Sequence, residues 1–155
     1  MKIFIIGGPG SGKTTLAKRL SGKYGVPCYD LDELFWDNSA AYGTKRDPAA
    51  RDAMLDAILK EENWIIEGVY YAWCLRCFAE ADRICFLNVP RRVYRRRIKR
   101  RFLRRKLGLE PGKKETLRSL RDLLKWADRY REKNAAEIGK VLLAYPDKVT
   151  SEERL

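Results

Sequence analysis

The sequence predicts an α/β domain built on a mostly parallel sheet with helices on both faces. Three observations carry that expectation. The chain has 155 residues, the length of one domain. Short runs rich in β-branched and aromatic residues alternate with longer stretches of helical periodicity. The first such run ends in a glycine-rich turn that leads straight into a helix pattern. At this length a compact fold removes roughly 68–70% of the unfolded chain's surface from water, so a core forms without metal or disulfide support. A composition of 45% hydrophobic and 35% charged residues is far from that of a disordered chain.

Residues 2–6 are β-branched and aromatic, bounded by Gly7 and Gly8, and read as a fully buried strand. Residues 12–24 follow as a helix with Leu16, Ala17 and Leu20 on one face, and a second strand is expected at 26–29. Residues 30–47 give a short helix at 32–36 and an irregular excursion; Pro48 then suits the first turn of a helix to 62. Strands at 64–67 and 83–89 flank a helix at 73–80. Pro90 opens a basic helix to 107, residues 108–114 break at Pro111 and Gly112, helices follow at 115–133 and 134–144, and a short strand closes at 148–150.

There are 33 Lys and Arg against 21 Asp and Glu, a formal charge of +12, and no His. A His general base, a Ser-His-Asp triad and His-ligated zinc are therefore excluded, leaving carboxylates, Lys, Arg, hydroxyls, thiols or a bound metal to carry any reaction. The charge is concentrated: residues 91–106 hold eleven basic side chains and no acid, while the other 139 residues hold 22 basic and 21 acidic ones. No signal-like or membrane-spanning segment is visible, which together with four Cys points to a cytoplasmic protein with reduced thiols.

Gly7-Gly8-Pro9-Gly10-Ser11-Gly12-Lys13-Thr14 satisfies G-x-x-x-x-G-K-[ST] between a predicted strand and a predicted helix. Glycines are needed because several backbone N–H groups must converge on phosphate oxygens, and the following helix adds its positive end. The pattern predicts ATP held by Gly8, Pro9, Gly10, Ser11, Gly12, Lys13, Thr14 and Thr15. Lys13 is expected to reach the β and γ phosphates, and Thr14 to offer its hydroxyl to Mg²⁺.

The loop through Thr15 resembles the adenylate-kinase-like branch of P-loop kinases. The stretches Tyr29-Asp30-Leu31-Asp32, Tyr42-Gly43-Thr44-Lys45-Arg46-Asp47-Pro48, Trp64-Ile65-Ile66-Glu67-Gly68-Val69-Tyr70 and Arg104-Arg105-Lys106-Leu107-Gly108-Leu109 resemble the bacterial DNA topology modulation (FlaR-like) group. The resemblance implies a single P-loop NTPase domain over 1–155. Its parallel sheet would have five strands in the nucleoside-kinase order 2-3-1-4-5, with an acceptor-side excursion at about 30–62 and an Arg-rich lid helix at about 90–107.

Asp30 and Asp32 follow the second strand, where ligands bind in open parallel sheets. Either can orient an acceptor or simply cap the helix after it; Asp32 is the expected catalytic carboxylate. The resemblance places Glu67 at the Mg²⁺ shell through water, and puts Tyr71 where adenylate kinases carry an Arg that grips the acceptor phosphate. Arg46 is an available phosphate clamp or a solvated surface Arg. The resemblance also makes Arg97 and Arg101 lid arginines; four apart, they share a helix face that can converge on the transferring phosphates. Tyr94, Ile98 and Phe102 form a second stripe expected to pack inward. The other nine basic side chains are a solvated face partly neutralised by later acids, a nucleic-acid surface, or a site for another polyanion. Trp73-Cys74-Leu75-Arg76-Cys77 matches a redox W-C-x-x-C pattern, but the phosphate loop claims the fold; Cys28 and Cys85 are expected in buried strands, leaving ordinary thiols. The expected activity is ATP- and Mg²⁺-dependent phosphoryl transfer to a small-molecule or nucleotide acceptor. The alternative is an ATP-binding protein that binds DNA through 91–106 with little kinase activity.

Overall fold

A computed structural model describes residues 1–41, 43–112 and 115–155. Tyr42 in the excursion and Lys113 and Lys114 in the predicted break lie outside the described residues. The strands β1 (Lys2–Gly7), β2 (Cys28–Asp30), β3 (Trp64–Gly68) and β4 (Arg83–Leu87) pair in parallel in the order β2-β3-β1-β4. Helices α1 (Lys13–Tyr24), α2 (Leu31–Phe35), α3 (Pro48–Leu59), α4 (Leu75–Glu80), α5 (Arg91–Lys106), α6 (Leu117–Arg129) and α7 (Ala135–Leu142) complete the frame.

The central strand β1 shows why the sheet is covered on both faces. Phe4 and Ile6 belong to one buried cluster with Leu31, Leu59, Trp64, Ile66 and Phe78, while Ile3 and Ile5 belong to the other with Leu16, Leu20 and Ile65. The two-residue strand period sends alternate side chains to opposite layers. Phe4 meets Phe78 edge-on at 4.9 Å. Each such buried ring contributes on the order of 2 kcal/mol relative to exposure.

The expected fifth strand is reduced to one parallel bridge, Val149 to Ile84, with the Thr150 N–H donating to the Ile84 carbonyl at 2.9 Å. Tight helical turns at Pro146–Lys148 and Glu152–Arg154 flank it, so too little extended chain remains for a ladder. The sheet accordingly has four strands, not five, in an order that agrees with the first four positions expected. The predicted helix at 115–133 begins at Leu117, where Thr116 and Ser119 form a capping box, and turns at Tyr130–Asn134 into a π-helix that runs on into α7. That wider turn brings Tyr130 inward, and its hydroxyl donates to the Val69 carbonyl at 2.8 Å. Helix α4 starts two residues later than expected because Cys74 is its N-cap. Cys28, expected buried, is exposed on the edge strand β2. Cys74, Cys77 and Cys85 are buried, and the Cys74 thiol, beside Cys77 and out of water, is raised well above its ordinary pKa. That is the character of structural thiols. No helix among the described residues is long and apolar enough to cross a membrane.

Candidate active site

The glycine-rich loop runs from the end of β1 into α1. Gly10 takes a φ of 73°, and a Cβ there would come 2.8 Å from the Tyr94 carbonyl of α5, so both its conformation and its surroundings require glycine. At Gly8 an added Cβ would lie 2.9 Å from the Tyr130 ring. The loop is thus wedged between α5 and the π-helical turn. Ser11, only 3% exposed, has a hydroxyl with no partner among the described residues. No acid occupies the first turn of α1, so none of its own side chains offsets the positive end of the helix.

Lys13 is buried; its Nζ donates to the Gly8 carbonyl at 3.2 Å and lies 4.0 Å from Glu67 Oε2. Burial lowers the Lys13 pKa, opposed by Glu67, Asp30 and Asp32, with Arg101 lowering it further. Thr14 Oγ1 donates to Glu67 Oε1 at 2.5 Å. Glu67, 4% exposed at the end of β3, thereby joins both side chains that the loop pattern assigns to phosphate and metal.

From the lid, Arg97 Nη1 donates to the Ser11 carbonyl at 2.5 Å. Arg101, one turn on, is half-buried, and burial together with Arg105 lowers its pKa. The structure therefore brings Lys13, Arg97 and Arg101 to the same loop. The stripe Tyr94, Ile98 and Phe102 is buried, as its spacing predicted.

On the acceptor side Asp30 caps α2: its Oδ1 accepts from the Asp32 N–H at 2.8 Å. Burial first, and Glu67 next, push Asp30 up to about 6. Asp32 is exposed, and its Oδ1 accepts from the Tyr70 hydroxyl at 2.7 Å. Phe35 stacks on Tyr70 at 4.7 Å, and Trp73 lies 5.4 Å from Tyr70. Arg46 turns back onto α2: Nε donates to the Leu34 carbonyl at 3.0 Å, and Nη2 to those of Glu33 and Trp36 at 3.3 and 3.2 Å. It secures the helix end, which the sequence alone did not reveal.

Asp128 of α6 supplies part of the neutralisation by later acids that the sequence offered as one reading of the basic helix. It accepts from Arg91 at 2.8 Å, Arg95 at 2.6 Å and the Tyr94 hydroxyl at 2.6 Å. Arg104 pairs with Glu110 and Arg105 with Glu115. Arg92, Arg96, Lys99 and Arg100 keep an exposed face with no partner among the described residues. Tyr130 had no motif to announce it, and Tyr70 stood in a quoted stretch without a role; each matters through a contact that only the fold creates.

No group of three or more acids or thiols among the described residues can hold a metal unaided. The donor set of one hydroxyl and one buried carboxylate, Thr14 and Glu67, nevertheless fits Mg²⁺ of the kind that completes its shell with phosphate oxygens and water.

A parallel sheet in this order, a phosphate loop after β1 and an arginine-bearing helix closing over it define a P-loop kinase fold. The AAA domain family matches residues 3–118, and the chain belongs to that family. It is 40% identical over 82 residues to a cytidylate kinase of Methanoculleus marisnigri, covering 44% of this chain and 45% of that protein. It is 29% identical over 108 residues to a cytidylate kinase of Pyrobaculum calidifontis, covering 62% and 58% respectively. The matched segments thus span about half the length of these curated relatives. Among solved structures, a shikimate kinase from Bacteroides thetaiotaomicron superposes with a TM-score of 0.55 at 26% identity, covering 88% of this chain and 79% of that one. A gluconokinase from Sinorhizobium meliloti reaches 0.53 at 16% identity over 97% and 80%, a likeness of fold alone.

Proposed function

We propose that the protein is an ATP- and Mg²⁺-dependent phosphotransferase acting on a small-molecule or nucleotide acceptor. The observation that carries this reading is the convergence of Lys13, Arg97 and Arg101 on one glycine loop, with the buried Glu67 carboxylate 4.0 Å from the Lys13 ammonium. Three cations and a helix N-terminus brought to one loop favour an anion of high charge density beside them. Mg²⁺, held by Thr14 and through water by Glu67, would supply neutralisation of charge on the transferring phosphate.

In this reading the backbone of residues 8–15 cradles the β and γ phosphates, Lys13 holds their oxygens, and Arg97 and Arg101 stabilise charge as it spreads in transfer. Asp32, fixed by Tyr70, orients the acceptor and receives its proton. Asp30 shapes the same end by capping α2, and Arg46 supports it from behind. The names of the cytidylate and shikimate kinases favour phosphoryl transfer. ADP release measured against a panel of nucleosides, nucleotides and sugars tests it: stimulation by one acceptor, lost in Lys13→Ala and Thr14→Ala, is expected. ATP affinity and turnover unchanged in both variants would overturn it.

One observation favours a second reading, in which the protein binds DNA and ATP gates that contact. Arg92, Arg96 and Arg100 recur every fourth residue on the outer face of α5, beside Lys99, with no acid opposite them among the described residues. Binding to duplex at two salt concentrations separates the readings, because phosphate contacts make affinity fall steeply with salt.

A further inference from the structure

The acceptor side differs in charge from everything around it. Residues 30–62 hold nine acidic and four basic side chains, net −5, in a chain whose total is +12. The carboxyl ends of β2 and β3 present Asp30, Asp32 and Glu67, all close enough to Lys13 to raise its pKa. The four cations of this segment are placed elsewhere. Arg46 is bonded to three backbone carbonyls. Arg51 lies over the Trp73 ring, 4.3 Å from its centroid, and pairs with Asp52 at 2.7 Å. Lys45 sits 5.7 Å from the Phe35 ring. Lys60 ends α3 just before β3 begins, towards the opposite end of the strands from Asp30 and Glu67. The wall of Phe35, Tyr70 and Trp73 therefore already attracts cations on two of its faces.

We infer, resting on the phosphotransferase reading, that the acceptor is an alcohol carrying no phosphate or carboxylate, and that a protonated amine on it is favoured. An anionic acceptor would have to enter against three carboxylates, and the two arginines of the acceptor segment, Arg46 and Arg51, are engaged elsewhere. An uncharged or cationic hydroxyl compound meets hydrogen-bond acceptors and aromatic faces instead. In the transfer, the acceptor oxygen forms a bond to the γ-phosphorus while the bond from that phosphorus to the β–γ bridging oxygen breaks. ADP leaves with the electron pair, and the hydroxyl proton passes to the Asp32 carboxylate. The donor chamber, with Lys13, Arg97 and Arg101, and the acceptor chamber thus carry opposite charge. That division keeps a phosphorylated product from binding back, because the product has gained the charge the acceptor side repels.

The experiment titrates the full chain, with ATP and Mg²⁺ replaced by ADP and Mg²⁺, against matched probes, following tryptophan fluorescence from Trp36 and Trp73. Cytidine and glucosamine are the uncharged and cationic probes; CMP, shikimate and gluconate are the anionic ones. At least one of the first pair is expected to bind at least tenfold more tightly than every anion. Asp32→Asn is expected to reduce that discrimination. Equal or tighter binding of any anionic probe overturns the inference, as does a response to neither cytidine nor glucosamine. ADP production on an anionic acceptor sinks this inference alone. Selective binding of cytidine or glucosamine with no ADP production from ATP sinks the phosphotransferase reading alone.

Discussion

Thr14 and Glu67, at the start of α1 and the end of β3, share a hydrogen bond of 2.5 Å, and Glu67 also lies 4.0 Å from the Lys13 ammonium. One buried carboxylate thus ties together the two side chains that the phosphate loop directs at phosphate and metal. Glu67→Gln keeps the size and the hydrogen-bonding of the group and removes its charge. Mg²⁺-dependent turnover is expected to fall about 100-fold, a loss typical of removing one well-placed electrostatic contact. ATP affinity measured without Mg²⁺ should hold or tighten, because Lys13 loses a competing anion. A full Mg²⁺-dependent rate in the variant would remove Glu67 from the metal's surroundings.

The two lid arginines separate from their neighbours by where they point. Arg97 reaches the Ser11 carbonyl and Arg101 is half-buried beside Lys13, whereas Arg96 faces out without a partner among the described residues. Arg97→Ala and Arg101→Ala are expected to lower kcat by about 10²–10³, with Arg96→Ala within twofold of the parent chain. Since α5 is anchored by Tyr94, Ile98 and Phe102, melting temperatures should stay close to that of the parent. Equal losses in all three variants would show that the helix acts through its summed charge and not through two placed groups.

Asp30 gives a pH signature of the opposite sign to most acids. Its pKa is raised to about 6 by burial and by Glu67, above the ordinary value of 3.8. Between those two values the folded state holds a proton that the unfolded chain has released, so stability falls as pH rises through that window and stays reduced above it. Asp30→Asn keeps a side chain able to cap α2 and removes the buried charge. Urea unfolding should show the variant more stable than the parent by about 1 kcal/mol at pH 7.5, a figure reduced for solvent screening. The difference should vanish near pH 4. A variant less stable at pH 7.5 would mean that the Asp30 carboxylate is needed as an anion in the resting fold.

The phosphate loop was legible because its chemistry is local: glycines at fixed offsets, then Lys13 and Thr14, between a strand and a helix. The stripe Tyr94, Ile98 and Phe102 was legible for a similar reason, since helical spacing alone brings those side chains to one face. That later acids neutralise part of the lid was among the readings the sequence offered; which acid meets which arginine was not legible. Asp128 neutralises Arg91 and Arg95 across more than thirty residues, and nothing in either segment records that α6 folds back antiparallel to α5. The π-helical turn was invisible because one extra residue per turn leaves no mark on composition; it shows only where Tyr130 reaches Val69. Arg46 was misjudged in the same way: a lone Arg in an irregular stretch looks available until backbone carbonyls are brought to it. The fifth strand failed for a local cause that could have been weighed, since Pro146 and the polar run after Thr150 leave little chain able to extend.

Asp128 holds the lid helix against α6, and its own titration reports on that clasp. The Arg91 hydrogen bond, helped by Tyr94 and Arg95, lowers its pKa to about 2 from an ordinary 3.8. A depressed acid contributes stability that is complete above the unfolded value and is lost as pH falls towards the folded one, so the clasp loosens between about pH 4 and pH 2. The pairs are partly exposed, Arg91 at 64% and Asp128 at 17% of the side chain, so the contribution is on the order of 1 kcal/mol once solvent screening is allowed for. Asp128→Asn retains an acceptor for the Tyr94 hydroxyl and removes the charge. Urea unfolding is expected to show it less stable by about 1 kcal/mol at pH 7, and equal to the parent by pH 2. Amide exchange in α5 should quicken in the variant at pH 7, with β1 and β3 unchanged. If α5 keeps its protection, the inward stripe alone suffices to hold the lid, and Asp128 serves only to neutralise Arg91 and Arg95.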